Sequence, residues 1–227
     1  MISVESILYR LDQKLNKLST NEHQQIPLED KILWANEAQN KLIISKFDTE
    51  DTRRLGIDAF LKRYHDLEAI IEPWKKIELD ASNTQLNEFS GSLDQLDPEL
   101  MIYLDSYIIA DKEDCKDRVL YANLVKHGDL TTLLRNNHYK PSFEYQETLA
   151  TISSGKYEAY SDGTFTPKEA QITYIRYPKK IDYEGYVNLE GNASVTQDSE
   201  LPAYLEDELV DLTAALIMAT LTSRNQP

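Results

Sequence analysis

A single cysteine, Cys115, occurs in this chain of 227 residues. One thiol excludes a disulfide framework, which suits a reducing cytoplasm or a particle assembled there. Glycine is scarce, at seven residues, and none sits in a phosphate-cradling loop. No run of about 18 apolar residues occurs, so no membrane-spanning helix is expected. The opening MISVESILYRLDQKLNKL lacks the basic start and apolar block of a secretory signal. The four histidines, His23, His65, His127 and His138, are never spaced four apart, and none lies near Cys115. No zinc signature results, and neither a metal nor a cofactor is expected. There is no Gly-x-Ser-x-Gly elbow. The acidic DKEDCKD lacks the glycine and spacing of a calcium loop and reads as a solvated hairpin tip. No catalytic residue can be named. A carboxylate pair for glycoside hydrolysis is conceivable in so acidic a chain, but the sequence singles none out.

Positive charge is the most telling shortage. The formal net charge is −15, and almost all of it lies beyond residue 76: residues 1–76 carry −1 and the remainder −14. Between Lys180 and Arg224 no basic residue occurs, while nine carboxylates do, Glu200, Glu206, Asp207, Glu208 and Asp211 among them. A groove that grips phosphates needs the opposite sign, so conventional DNA or RNA binding is excluded. The bland reading of the acid is solubility. The sharper one is a surface that faces nucleic acid without sticking to it.

What is present has the composition of a globular chain, 41% apolar and 28% charged. Val4, Ile7, Leu8, Leu11, Leu15 and Leu18 predict an amphipathic helix over about 3–19. A second helix is expected from Pro27, with Leu28, Ile32, Ala35 and Leu42 on its stripe. A third is expected from Asp48 or Thr49 to Ile71, along Ile57, Phe60, Leu61, Tyr64 and Leu67, and Pro73 stops it. Residues 75–100 read as polar and loop-like. MIYLDSYIIA and RVLYANLVKH predict a hairpin, a helix being the competing reading of the second segment. GDLTTLLRNN predicts a short helix capped by Asp129. TLATISS, KYEAYSD and QITYIRYP predict strands divided by turns at Ser154-Gly155 and Asp162-Gly163. Residues 182–198 read as an extended arm.

The last helix opens at Ser199 and Pro202 and carries two apolar stripes. Leu205, Leu209, Leu212 and Leu216 form one; Val210, Ala214 and Ile217 form the other. Two stripes call for two surfaces to pack against, and full burial inside one domain meets that demand as well as a neighbour does. Eleven of the 14 tyrosines lie between residues 103 and 186, a chemistry that suits interfaces as well as half-exposed sheets. The fold class expected is α+β: a helical region over 1–76, a mixed region over 77–198 with a small antiparallel β part, and the terminal helix over 199–227 packed with the first region.

The order of these pieces, with DLTTLLRNNHYKPS, ITYIRYPKKI and LPAYLEDELVDLTAALI as its most specific segments, resembles the neck-ring or head–tail connector proteins of tailed phages. The likeness is greatest to those of crAss-like phages. The resemblance implies a non-enzymatic virion protein at the neck, made in the host cytoplasm. Such proteins form rings, generally of about twelve copies, that bind the portal and other neck or tail rings. Genomic double-stranded DNA passes through without specific binding. In that picture Leu205, Leu209, Val210, Leu212, Leu216 and Ile217 are candidate subunit or portal contacts, and Glu200, Glu206, Asp207, Glu208 and Asp211 a candidate channel-facing acidic surface. An acidic host-modulating protein and a carboxylate-dependent hydrolase remain the alternatives.

Overall fold

A computed structural model describes residues 1–18, 26–47, 64–187, 191 and 193–224. The chain is mixed α+β and divides into two compact units, residues 1–70 with 178–227, and residues 71–177. The boundary falls six residues earlier than the sequence pattern suggests, and the arm after Pro178 belongs with the helices rather than with the strands.

The first unit is built on α1 (Val4–Leu18), α2 (Leu28–Phe47) and a C-terminal helix taken up below. Val4, Ile7, Leu11 and Leu15 of α1 recur at helical spacing and are buried, as are Ile32, Ala35, Leu42 and Ile43 of α2. The expected third helix lies mostly outside the described residues. Its end is helical at 64–67 and tightens into a 3-10 turn at Glu68–Ile70, after which Ile71 starts a strand instead.

Ser199 does not cap the terminal helix. It is buried and pairs antiparallel with Ile2, each backbone N–H donating to the other's carbonyl at 3.1 and 3.0 Å. Val4 N–H adds a bond to Asp198 Oδ1 at 2.9 Å. The helix begins instead after a 3-10 turn, Ala203–Leu205, for which Pro202 is the cap residue.

The second unit is one eight-stranded sheet, larger than expected. Its strands are β1 (Ile71–Glu78), β2 (Asp80–Asn83), β3 (Glu88–Ser92), β4 (Leu100–Lys112), β5 (Cys115–Leu124), β6 (Glu147–Ser153), β7 (Lys156–Tyr160) and β8 (Thr166–Arg176). The order is β1-β8-β4-β5-β6-β7-β3-β2, antiparallel except for the parallel pair β5–β6. The loop-like reading of 75–100 thus misses β1, β2 and β3. Asp80, Ser82, Asn83 and Glu88 give these short strands the polarity of a loop, and strand pairing overrides it.

The sheet curls until β3 meets β1. At Gly91 a Cβ would lie 2.3 Å from the Glu78 carbonyl oxygen and 2.4 Å from Ile77 Cγ2, so only glycine permits the approach. Inside lie Ile77, Ile108, Ala150, Tyr157, Ala170 and Ile172. The parallel step from β5 to β6 needs a crossover, and α3 (His127–Arg135) supplies it, seating Leu130 on Leu149 and Tyr160. Asp129 lies within the first turn of α3 rather than capping it; Lys126 is the cap residue and makes no side-chain cap bond.

Candidate functional site

The terminal helix, α4 (Glu206–Arg224), opens on three carboxylates, a placement that the positive end of a helix favours. It packs against both α1 and α2. Leu205, Leu209, Val210 and Ile217 are 2% exposed or less, so four of the six candidate contacts lie in the unit's own core. They come from both predicted stripes, because the buried side of the helix straddles them. Leu212 and Leu216 remain partly buried, with Ala215 and Ala219 beside them at the surface.

Each candidate acidic residue faces a cation of the same unit. Arg10 bridges Glu206 (3.3 Å) and Asp207 (2.5 Å), Lys14 pairs with Asp211, and Lys46 reaches Glu208 at 2.6 Å. Ser6 also donates to Glu206. Glu200 is 7% exposed; it accepts the Lys179 backbone N–H at 2.9 Å and lies 3.7 Å from the Lys179 ammonium. The acid of α4 is thus stitched to α1 and α2, and much of its field is cancelled locally.

The predicted arm, 182–198, is strapped down just outside its two ends through two polar side chains of α2. Asn36 holds Ile181 from both sides, accepting its N–H and donating to its carbonyl, each at 2.8 Å. Gln39, 1% exposed, donates to the Lys179 carbonyl at 3.0 Å and accepts the Ser199 hydroxyl at 2.6 Å. The arm then folds back on itself, with bridges Asp182↔Gln197 and Val187↔Ala193. Burial, with a hydrogen bond to the Asp182 carboxylate added to it, pushes the Tyr186 phenol up to about 12.

Between α2 and the arm runs an open groove of 280 Å³. Ile32, Leu33, Ile181 and Val187 give it an apolar floor, and Glu29, Asp30 and Asp182 line it against a single cation, Lys180. Sequence reasoning missed this groove. The available signal was the pair Asn36 and Gln39, amides three residues apart on an apolar helix, which buried backbone would need as partners.

The tyrosines divide by role. Tyr157, Tyr160 and Tyr174 are fully buried in the sheet unit. Ser106 links the hydroxyls of Tyr103 (2.8 Å) and Tyr157 (2.7 Å) inside it. Tyr121, Tyr139 and Tyr145 are exposed. Trp74, at φ 50° in a β1 bulge, holds its half-exposed ring 4.9 Å from that of Tyr107, which is paired across the strands with Tyr121.

Glu158 has the densest hydroxyl shell. Burial pushes its carboxyl up, but hydroxyls of Ser153 (2.5 Å), Thr151 (2.7 Å) and Tyr160 (3.1 Å) outweigh burial and hold it below the ordinary value. Among the described residues no cluster of three or more histidine, cysteine or carboxylate groups is placed to hold a metal ion. Cys115 is exposed at the end of β5 that turns back to β4. No protein-family model matches the chain, and no curated protein matches it.

Proposed function

We propose that this chain is a non-enzymatic structural subunit of a tailed-phage virion, one copy of a ring of about twelve in the neck. The ring joins portal to tail and surrounds the DNA channel. The carrying observation is the outward side of α4. After α1 and α2 have covered one side of this helix, Leu212 and Leu216 stay only partly buried beside the exposed Ala215 and Ala219, in a chain of net charge −15. An uncharged strip on a highly charged molecule suits a surface that another protein covers. In this reading α1, α2 and α4 act as a rigid bundle that presents the strip.

The contact set narrows accordingly to Leu212 and Leu216, since the other four candidates are buried in the subunit itself. The acid on α4 serves mainly to hold that helix to its neighbours. Passing DNA meets carboxylates on the first turns of α4, and the cations there, Arg10, Lys14 and Lys46, are already paired with them.

Imaging of intact virions tests the reading directly: density for this chain is expected at the vertex where capsid meets tail, and its absence there ends the proposal. Co-sedimentation with the portal oligomer gives a second readout. Leu212→Glu with Leu216→Glu is expected to leave helicity unchanged and to reduce co-sedimentation about tenfold or more, as loss of a buried apolar contact does.

A further inference from the structure

The charge of this chain is unevenly shared, and the exception faces outward. Residues 126–140 carry Lys126, Arg135 and Lys140 against one carboxylate, Asp129, a local +2 in a chain of −15. All three cations are exposed, and none forms an ion pair among the described residues. Lys76, Lys112 and Lys168 of the sheet unit are engaged, by Glu169, Glu144 and Asp111, whereas Lys156 is a lone exposed lysine away from this cluster in sequence.

The turn after α3 is stiff. Asn136 Oδ1 accepts the His138 N–H at 3.0 Å, and the Asn136 carbonyl accepts the N–H groups of Tyr139 (3.1 Å) and Lys140 (2.9 Å). It holds Tyr139 61% exposed in the stretch between Arg135 and Lys140. A preordered tyrosine flanked by cations is typical anchor chemistry: a rigid ring with little entropy to lose, and charges that steer it.

The groove beside α2 has the converse character. Its floor includes Leu33 and Val187, 55% and 63% exposed, and its lining carries Glu29, Asp30 and Asp182 against Lys180. Asn36 fixes the Ile181 wall, so the groove is standing rather than induced. It suits an apolar side chain with positive neighbours.

We infer that the turn 135–140 of one copy seats in the α2 groove of the next, with Tyr139 against Leu33 and Val187 and with Arg135 and Lys140 toward Glu29 and Asp30. This rests on the ring reading and gives it a specific subunit contact. Knob and groove are different surfaces of one sequence, so the contact is heterologous. Each copy that joins still offers one of each, and growth stops only when the series closes on itself. Copies of net charge −15 repel at long range, and a complementary pair of patches is what lets them meet in one orientation.

Sedimentation velocity on the purified full chain, at about 0.1 M salt and rising concentration, tests the contact. The wild type is expected to self-associate once the long-range repulsion is screened, and salt raised to about 1 M to weaken the association as the local charge pairs are screened in turn. Arg135→Glu with Lys140→Glu in one chain, and Glu29→Lys with Asp30→Lys in another, are each expected to weaken association about tenfold or more. An equimolar mixture of the two is expected to restore it, because the reversed knob now fits the reversed groove; recovery also shows that both variants are folded. Tyr139→Ala is expected to weaken association without altering its salt dependence. Wild-type association that ignores both reversals overturns the contact and leaves the ring reading standing. A chain that stays monomeric throughout also overturns the contact, and its presence or absence in the neck of imaged virions then decides the ring reading separately.

Discussion

The two units hold themselves together by different means. In the sheet unit the interior is locked by burial and neutral hydrogen bonds: Tyr157, Tyr160 and Tyr174 are fully buried, and the Tyr103–Ser106–Tyr157 hydroxyl chain runs through the core. In the helical unit an apolar centre is ringed by ion pairs between elements far apart in sequence, such as Arg10–Asp207, Lys14–Asp211 and Lys46–Glu208. The sheet unit also carries ion pairs between distant segments, Lys76–Glu169, Lys112–Glu144 and Arg176–Glu72 among them, but they lie outside its hydroxyl-linked core. In the helical unit the charged seam runs between the helices themselves, where it selects one helix as the partner of another; salt screens both sets of pairs. The difference shows why the acid of α4 is a poor guide to a ligand: most of it is internal stitching.

The two tryptophans make the comparison measurable, since Trp34 lies in α2 and Trp74 in β1. Trp34→Phe and Trp74→Phe leave one reporter in each unit, and urea unfolding followed by fluorescence then reads each separately. The largest effect is expected for Leu209→Ala, which empties a fully buried site on α4 and should cost about 3–4 kcal/mol in the Trp34 signal. Next comes Gly91→Ala, whose new Cβ collides with the Glu78 carbonyl and should cost about 3 kcal/mol in the Trp74 signal. Equal losses in both signals for either variant would show that the units unfold as one. Tyr157→Phe should cost about 1–2 kcal/mol, because Ser106 keeps Tyr103 as a partner while losing one buried bond.

Acid is expected to act on the sheet unit through Glu158, alongside Asp111, Glu144 and Glu169, which hydrogen bonds to Lys168, Lys112 and Lys76 hold below the ordinary carboxylate value. The folded-state pKa of Glu158 lies below the unfolded value, so its contribution is present above about pH 4.3 and is lost as pH falls through the folded value. The Trp74 midpoint should therefore fall with acid from about pH 5 downward. Glu158→Gln should lessen that fall; an unchanged slope would assign it wholly to Asp111, Glu144 and Glu169. The smallest effect is expected at the seam: Lys14→Met should cost under about 1 kcal/mol in the Trp34 signal and lose its effect at high salt.

Legibility followed period and burial. Val4, Ile7, Leu11 and Leu15 repeat strongly enough to mark α1, and Val119, Leu120 and Tyr121 carry enough β-character to mark β5. The strands β1, β2 and β3 were hidden because their signal lies in partners rather than in residues: Gly91 reads as a turn glycine until Glu78 is seen behind it. Ser199 fits a cap by local chemistry and was claimed instead by Ile2, nearly two hundred residues away. Of the candidate contacts, a seam of leucines at helical spacing was legible, but its facing was not. Helical spacing fixes which residues share a side of α4, and only the positions of α1 and α2 decide which side is covered.

The antiparallel bridge between Ile2 and Ser199 has a consequence for synthesis. The sheet unit, residues 71–177, is contiguous and can fold as soon as it leaves the ribosome. The helices α1 and α2 emerge before it yet must wait until the polymerising chain has passed position 199, when the strap and α4 finally arrive to cover them. During that interval Ile7 and Leu11 lie open to solvent or to a chaperone. Helices made ahead of the sheet unit are thus among the last elements to become native.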